Sequence, residues 1–326
     1  MKYTVLAPSN IAFIKYWGRK DEALKLPSNG SVSMNLSGLT TTTTVEFSPD
    51  YKEDEIIING ILEPEEKTAK IFSHLDRIRK FAKIDEKAKI VSENSFPRGT
   101  GLSSSASGFA ALTLAASKAA GLDLSKKELS ILARQGSGSA CRSIPDGFVE
   151  WLDGDTSEDS YAVSLYPPEH WDLVDIAVIL TEQVKDVSTT EGQKLAATSP
   201  FFEARQSKIK DKIAKIKDYL KNKNFRAFGE IVEAEALELH SIMLTSSPSL
   251  IYLNPATISV MKLVKKWRSE GLQVYFTLNT GQNIHLICEK ISAAAVVSKV
   301  KESEFAQAII ENAPSRGAGI ADHHLF

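Results

Sequence analysis

The sequence predicts an α+β fold built as two lobes, and three observations predict it. Strand-favouring runs crowd the first 60 residues, helical apolar spacing dominates several later stretches, and strands and helices are mixed rather than strictly alternating. Residues 3–7, 31–36 and 40–47 are rich in Val, Thr and small apolar residues and read as strands. Residues 56–58 form a further strand that enters a tight turn at Asn59-Gly60. Ile71, Leu75, Ile78 and Phe81 then recur at helical spacing and predict a helix over 65–83. A short strand at 89–92 precedes a Pro/Gly/Ser-rich segment and a small-residue helix over 104–120. Ser125, with Glu128 three residues on, is a capping box that starts a helix over 124–135.

The second half opens with strands at 147–152 and 172–180. Helices follow over 190–198, 202–222, 225–244 and 256–269, the second of these with a Lys/Glu/Asp-rich solvated face. Strands at 274–278 and 284–289 flank a Thr-Gly turn, and a helix over 292–301 precedes a Gly-containing tail. The division is placed after residue 185, so that residues 1–185 form the first lobe and 186–326 the second.

The 326 residues are 43% hydrophobic and 25% charged, an ordinary globular composition long enough to bury a core without staples. The net charge of −2 gives no global basic excess for nucleic acid or an anionic membrane. Cys141 and Cys288 lie in neither a CxxC nor a zinc-ligand spacing, so reduced thiols are expected. No secretory signal and no run of about 18 apolar residues is visible, so a cytoplasmic protein without a membrane span is expected.

Three segments carry chemistry. The first is Pro97-Arg98-Gly99-Thr100-Gly101-Leu102-Ser103-Ser104-Ser105-Ala106, which opens a helix. Its glycines let backbone N–H groups approach a ligand, its serines add hydroxyls, and the helix start adds free N–H groups and the positive end of a dipole. Together they suit a nucleotide phosphate. A Gly/Ser loop that merely starts a helix is the bland alternative, and the segment is not a Walker A loop. The second is the stretch from Ala7 to Lys20, where an apolar strand meets Lys15, Arg19 and Lys20 beside Tyr16 and Trp17. Such cations suit a phosphate or carboxylate, unless they simply snorkel from a strand edge. The third is Ser137-Gly138-Ser139-Ala140-Cys141-Arg142, a donor-rich turn whose Arg142 offers a planar fork matched to a carboxylate.

The first segment resembles the phosphate loop of the galactokinase, homoserine kinase, mevalonate kinase and phosphomevalonate kinase (GHMP) superfamily, Pro-x-x-x-Gly-Leu-x-Ser-Ser-Ala, at every fixed position. The second and third resemble the diphosphomevalonate and phosphomevalonate decarboxylases within it. Weaker similarity continues at Lys185-Asp186-Val187-Ser188-Thr189. The resemblance implies a GHMP-kinase-like fold, with a ribosomal protein S5 domain 2-like N-terminal lobe and a ferredoxin-like C-terminal lobe. It implies ATP and Mg2+ as cofactors and a homodimer as the working form. For ATP it implies Pro97, Gly99, Gly101, Leu102, Ser103, Ser104 and Ser105, with Ser105 also the candidate Mg2+ ligand. For a phosphorylated mevalonate it implies Tyr16, Arg19, Lys20, Ser137, Ser139, Arg142, Ser188 and Thr189. Lys15 and Arg142 are the expected catalytic cations. His240, in an apolar helix, is read as a satisfied core residue, and Cys141 as a packed small residue.

One departure matters. The decarboxylases carry Asp-Ala-Gly-Pro-Asn where this chain has Asn279-Thr280-Gly281-Gln282-Asn283, so Asn279 takes the place of the family's catalytic aspartate. An amide has nearly the shape of a carboxylate but is no base at neutral pH. A substituted form, a branch with altered chemistry, and service by another carboxylate are the three explanations. The expected reaction is 3-phosphorylation by ATP followed by loss of CO2 and phosphate. Mevalonate 5-diphosphate is the first-choice substrate, and the 5-monophosphate the second. A pure kinase and a non-catalytic nucleotide-binding protein are the competing readings.

Overall fold

The computed structural model describes residues 1–97 and 99–326, so Arg98 of the phosphate-loop segment lies outside the described residues. The strands are β1 (Lys2–Ile14), β2 (Arg19–Asp21), β3 (Leu26–Pro27), β4 (Ser31–Ser48), β5 (Glu55–Ile58), β6 (Ile61–Leu62), β7 (Lys87–Asn94), β8 (Phe148–Trp151), β9 (Ala162–Tyr166), β10 (Leu173–Ile179), β11 (Tyr275–Thr277), β12 (Ile284–Glu289), β13 (Ala308–Asn312) and β14 (Gly319–Ile320). The helices are α1 (Glu65–Ala82), α2 (Ser104–Ala119), α3 (Lys126–Gly136), α4 (Thr189–Lys194), α5 (Phe202–Asn222), α6 (Phe225–Leu244), α7 (Pro255–Ser269) and α8 (Lys290–Glu302).

The two expected strands at 31–36 and 40–47 are one long strand, β4, which hydrogen-bonds β1 along most of its length. The first sheet runs β14-β1-β4-β7-β5-β6, with β8 joined to β4 and β9 to β8. The second sheet runs β11-β12-β10-β13. Its strand β10 pairs with both β12 and β13, so the second sheet begins at Leu173, ahead of the expected division after residue 185. The tail, in turn, returns to the first sheet through β14. Local pattern could not place these strands, because strand partners are chosen by burial and not by sequence distance.

The lobes meet at the lower half of β1. Ile11, Phe13 and Ile14 are fully buried in a core that also holds Phe228 and Val232 of α6 and the whole second sheet. The Phe13 and Phe228 rings meet edge to face, 4.8 Å apart. A separate core lies between the first sheet and α1, α2 and α3, and Ala110, Ala111, Ala115, Ala116 and Ala119 of α2 are buried in it. Small residues let α2 lie close against β1 and β4, which brings its N-terminus to the lobe junction. The capping box at Ser125 and Glu128 starts α3 as expected. Among the described residues no helix is long and apolar enough to cross a membrane.

Candidate active site

The motif segments converge on one cleft of about 280 Å³ between the lobes. Gly99 and Gly101 have φ of +77° and +92°, conformations that only glycine adopts without strain. A Cβ on Gly101 would fall 2.6 Å from the Gly281 Cα, so the phosphate loop and the residue-279 turn touch through two glycines. Helix α2 starts after Ser103, which has no capping side-chain bond, and its first turn carries no acid. The N–H groups at that start therefore point into the cleft without a competing anion. Ser103, Ser104 and Ser105 line it, and the Ser105 hydroxyl lies 3.3 Å from that of Ser137. Ser105→Ala is expected to weaken nucleotide binding or turnover by about 1–3 kcal/mol, measured as ATP affinity and kcat/KM, and unchanged constants would remove Ser105 from the site.

Arg142 is buried and lines the cleft. Its Nε and one terminal nitrogen donate to Asn10 Oδ1 at 3.3 and 3.0 Å, and the other terminal nitrogen donates to Ser31 Oγ at 2.7 Å. Three of the five donors a guanidinium carries are thus held by neutral acceptors, which leaves two for a ligand. No carboxylate neutralises it among the described residues. Asn10 and Ser31 orient the fork, and the sequence reading passed over both.

Lys15 follows β1 directly and is 2% exposed. Its ammonium nitrogen donates to Asn279 Oδ1 at 3.3 Å, and Asn279 Nδ2 donates to Ser103 Oγ at 3.0 Å, so the amide bridges the lysine and the phosphate loop. Burial pushes the Lys15 pKa down to about 7; Glu235 and Asp175 oppose the shift, and Arg142 and Arg205 add to it. His240 Nε2 lies 3.1 Å from the Asn279 carbonyl, and burial pushes this imidazole down to about 4. It is a neutral, satisfied residue that braces the turn. The main chain of Lys15 is clamped from the second lobe. Its N–H donates to Glu235 Oε1 at 3.1 Å, and Arg205 donates to its carbonyl at 2.7 Å while pairing with Glu235.

The remaining expectations divide. Tyr16 and Arg19 line the cleft, joined by a 2.7 Å bond from Arg19 Nε to the phenol. A Cβ on Gly138 would fall 2.9 Å from the Tyr16 ring, so Gly138 leaves room for that ring. Ser137 and Ser139 also line it. Ser188 does too, although its hydroxyl caps α4 by accepting from Glu191 N. Thr189 bridges Lys185 and Thr280, with bonds of 2.6 and 2.7 Å. Lys20 is the correction: it does not line the cleft, because its ammonium donates to the Asp153 carbonyl and pairs with Asp155 at 2.6 Å. Pro97 and Leu102 do not line it either; Leu102 is a buried core residue. Cys141 is buried and inert, its thiol pushed up to about 12 by burial.

Lys25, Lys70, Lys185 and Gln193 line the cleft and were not singled out from sequence. Lys25 donates to the Gly136 carbonyl at 2.7 Å; burial and then the charges of Lys70, Arg77 and Arg19 push its pKa down to about 7. Six cations line the cleft and, among the described lining residues, no carboxylate does. A second pocket of about 180 Å³ opens beside Ser104 and Ser105, walled by Ile56, Ile58, Ile90 and Phe109 with Ser92 and Asn94 as polar points. Its residues come from five elements, β4, β5, α1, β7 and α2, so no local motif marks it.

Two family models cover nearly all of this architecture. Residues 7–162 match the diphosphomevalonate decarboxylase-like N-terminal domain, and residues 175–318 match the mevalonate 5-diphosphate decarboxylase C-terminal domain. The chain belongs to the diphosphomevalonate decarboxylase family. It is 36% identical to the diphosphomevalonate decarboxylase of Debaryomyces hansenii over 317 residues, covering 90% of this chain and 81% of that one. The solved complex of MDDEF with MVAPP, AMPPCP and magnesium superposes with a TM-score of 0.93 at 36% identity, covering 99% of both chains. The crystal structure of mevalonate diphosphate decarboxylase from Staphylococcus aureus gives 0.93 at 37% identity, covering 98% of both. The two-lobed decarboxylase fold expected from the motifs is therefore the fold of this chain.

Proposed function

We propose that this chain is an ATP-dependent carboxy-lyase that converts mevalonate 5-diphosphate to isopentenyl diphosphate by way of a 3-phosphate. The observation that carries the proposal is a cleft lined by six cations and no described carboxylate, in which a helix-start phosphate loop faces an arginine with two unused donors. Such a cleft attracts a substrate with phosphate and carboxylate groups together. In this reading the α2 start and Ser103–Ser105 hold the ATP phosphates, and the apolar pocket beside them takes the base. Arg19, Tyr16 and the Ser137–Ser139 turn hold the 5-diphosphate. Arg142 holds the carboxylate, and Lys15 stands at the reacting oxygen.

The donor set fits Mg2+ carried on a nucleotide. The cleft supplies hydroxyls such as that of Ser105 and, among the described residues, no cluster of acids that would bind a bare cation. When bound, the ion neutralises phosphate charge during transfer. The relatives bound to MVAPP and AMPPCP support the same substrates here. The resemblance further supports a homodimer working in the cytoplasm.

Mass spectrometry of the products from MgATP with mevalonate 5-diphosphate, and separately with the 5-monophosphate, tests the proposal. Isopentenyl diphosphate with CO2 and ADP supports it. A stable 3-phosphate, or turnover of the monophosphate alone, overturns it. Arg142→Lys keeps a charge but loses the fork. It is expected to slow CO2 release about 10- to 100-fold, since a lost charge-assisted bond costs about 1.5–3 kcal/mol. Full CO2 release by the lysine variant would take Arg142 off the carboxylate.

A further inference from the structure

Phosphorylation of a tertiary hydroxyl releases a proton, and the cleft raises the question of what receives it. Asn279 cannot, because an amide has no basic lone pair at neutral pH. No described carboxylate lines the cleft. The nearest buried acids are committed elsewhere: both oxygens of Glu235 are held by Arg205, Lys212 and the Lys15 N–H, and both oxygens of Asp175 lie 2.9 and 3.0 Å from His285 Nδ1. His240 turns its Nε2 to the Asn279 carbonyl and does not line the cleft. Lys15 remains. Its nitrogen is buried at the junction of the phosphate loop and the residue-279 turn, it lines the cleft, and it donates to a neutral amide oxygen.

Resting on the function proposed above, we infer that the Lys15 amine is the proton acceptor of the phosphorylation stage, in place of the carboxylate that position 279 lacks. In that stage the 3-hydroxyl oxygen bonds to the γ-phosphorus of ATP, and the bond from that phosphorus to the bridging oxygen of ADP breaks. ADP leaves with the electron pair, and the hydroxyl proton passes to the neutral Lys15 amine. The ammonium so formed stands where the second stage needs a cation. There the bond between the carboxylate carbon and its neighbour breaks, its electrons form the C=C bond, and CO2 leaves. The C–O bond to the 3-phosphate breaks and the phosphate departs with that pair. The Lys15 proton passes to the departing phosphate, which returns the amine to its starting state. One residue thus serves as base and then as acid, and each stage leaves it in the form the other needs.

The charged groups facing Lys15 are Glu235 of α6, Arg205 of α5, Arg142 of the turn after α3, Asp175 of β10 and the neutral His240. Burial dominates their balance and pushes the amine down to about 7. A base must be unprotonated to act, so the phosphorylation rate should fall as pH drops through that value. A carboxylate acceptor would keep the rate flat to far lower pH.

The test measures ADP formation by the native enzyme across pH, together with a Lys15→Arg variant. Arginine keeps the cation but does not deprotonate. The expected results are an acid limb near pH 7 in the native enzyme and a loss of about 10²–10⁴ in phosphorylation by Lys15→Arg. Release of CO2 from a substrate supplied with its 3-phosphate already in place should fall as well, because arginine gives no proton to the departing phosphate. A native rate flat through neutral pH, or a Lys15→Arg variant within ten-fold of the native phosphorylation rate, overturns the inference and leaves the decarboxylase reading standing. If the arginine variant does not fold, as judged by thermal melting, the native pH profile decides alone. Absence of any turnover by the native enzyme overturns the function and this inference together.

Discussion

Glu235→Ala is expected to lower the stability of the enzyme by about 3–5 kcal/mol, the range for removing one partner of a buried ion pair. Glu235 is fully buried on α6 and accepts from Arg205, Lys212 and the Lys15 N–H. Alanine would strand the Arg205 guanidinium, itself only 3% exposed, and free the main chain that carries Lys15. The urea midpoint should fall at unchanged slope. A loss below about 1 kcal/mol would mean that Arg205 finds water or another acceptor. The pH dependence follows from the same contacts. Burial alone would raise the Glu235 pKa, but Arg205 and then Lys212 more than offset it and hold the carboxyl below its usual range. A carboxyl with a depressed folded-state pKa stabilises fully above its unfolded value, and that contribution is lost as pH falls through the folded value. Acidification should therefore narrow the stability gap between the native chain and Glu235→Ala.

Asn279→Asp is expected to remove the acid limb from the neutral range. The new carboxylate would lie about where Oδ1 now sits, 3.3 Å from the Lys15 nitrogen. An ion pair at that distance is worth about 5 kcal/mol at an effective dielectric of about 20, which corresponds to about 4 pK units. Lys15 would return from about 7 toward the ordinary lysine range. If the aspartate takes the proton instead, the limb moves to the carboxylate range, and the phosphorylation rate at neutral pH holds or rises. If Lys15 remains the acceptor, the limb moves to alkaline pH and the neutral rate falls. A limb that stays near pH 7 in the variant would show that residue 279 does not set the charge of Lys15. Substrate affinity should change little, because the swap preserves shape.

Much of the site was legible before any fold was known. The Gly99–Ser105 loop, the Lys15–Arg19 cluster and the Ser137–Arg142 turn each combine residue types whose chemistry requires an anion, and each is contiguous. Lys20 shows where contiguity fails. It sits one residue from Arg19, yet successive residues of a strand such as β2 point to opposite faces, and Lys20 faces Asp155. Lys25, Lys70 and Lys185 were missed for the converse reason. Lys25 and Lys70 lie in stretches with no motif, Lys185 opens the weaker Lys185–Thr189 similarity but was given no role there, and only folding brings α1, the loop after β2 and the segment before α4 to one cleft.

The chain's own residues determined the family, the α+β class, the capped helices and the segments that line the cleft, because glycine conformations, helix caps and short hydrogen-bonding loops are local chemistry. Tertiary structure alone decided three things. It assigned β10 to the second sheet and β14 to the first, since strand partners follow burial across long sequence distances. It gathered six cations around one space whose described lining holds no carboxylate. And it buried Lys15 between two lobes, with its backbone held by Glu235 and its amine against a neutral amide. The charge of a lysine is set by the water it loses and the ions it keeps, and both are properties of the folded junction rather than of the sequence around residue 15.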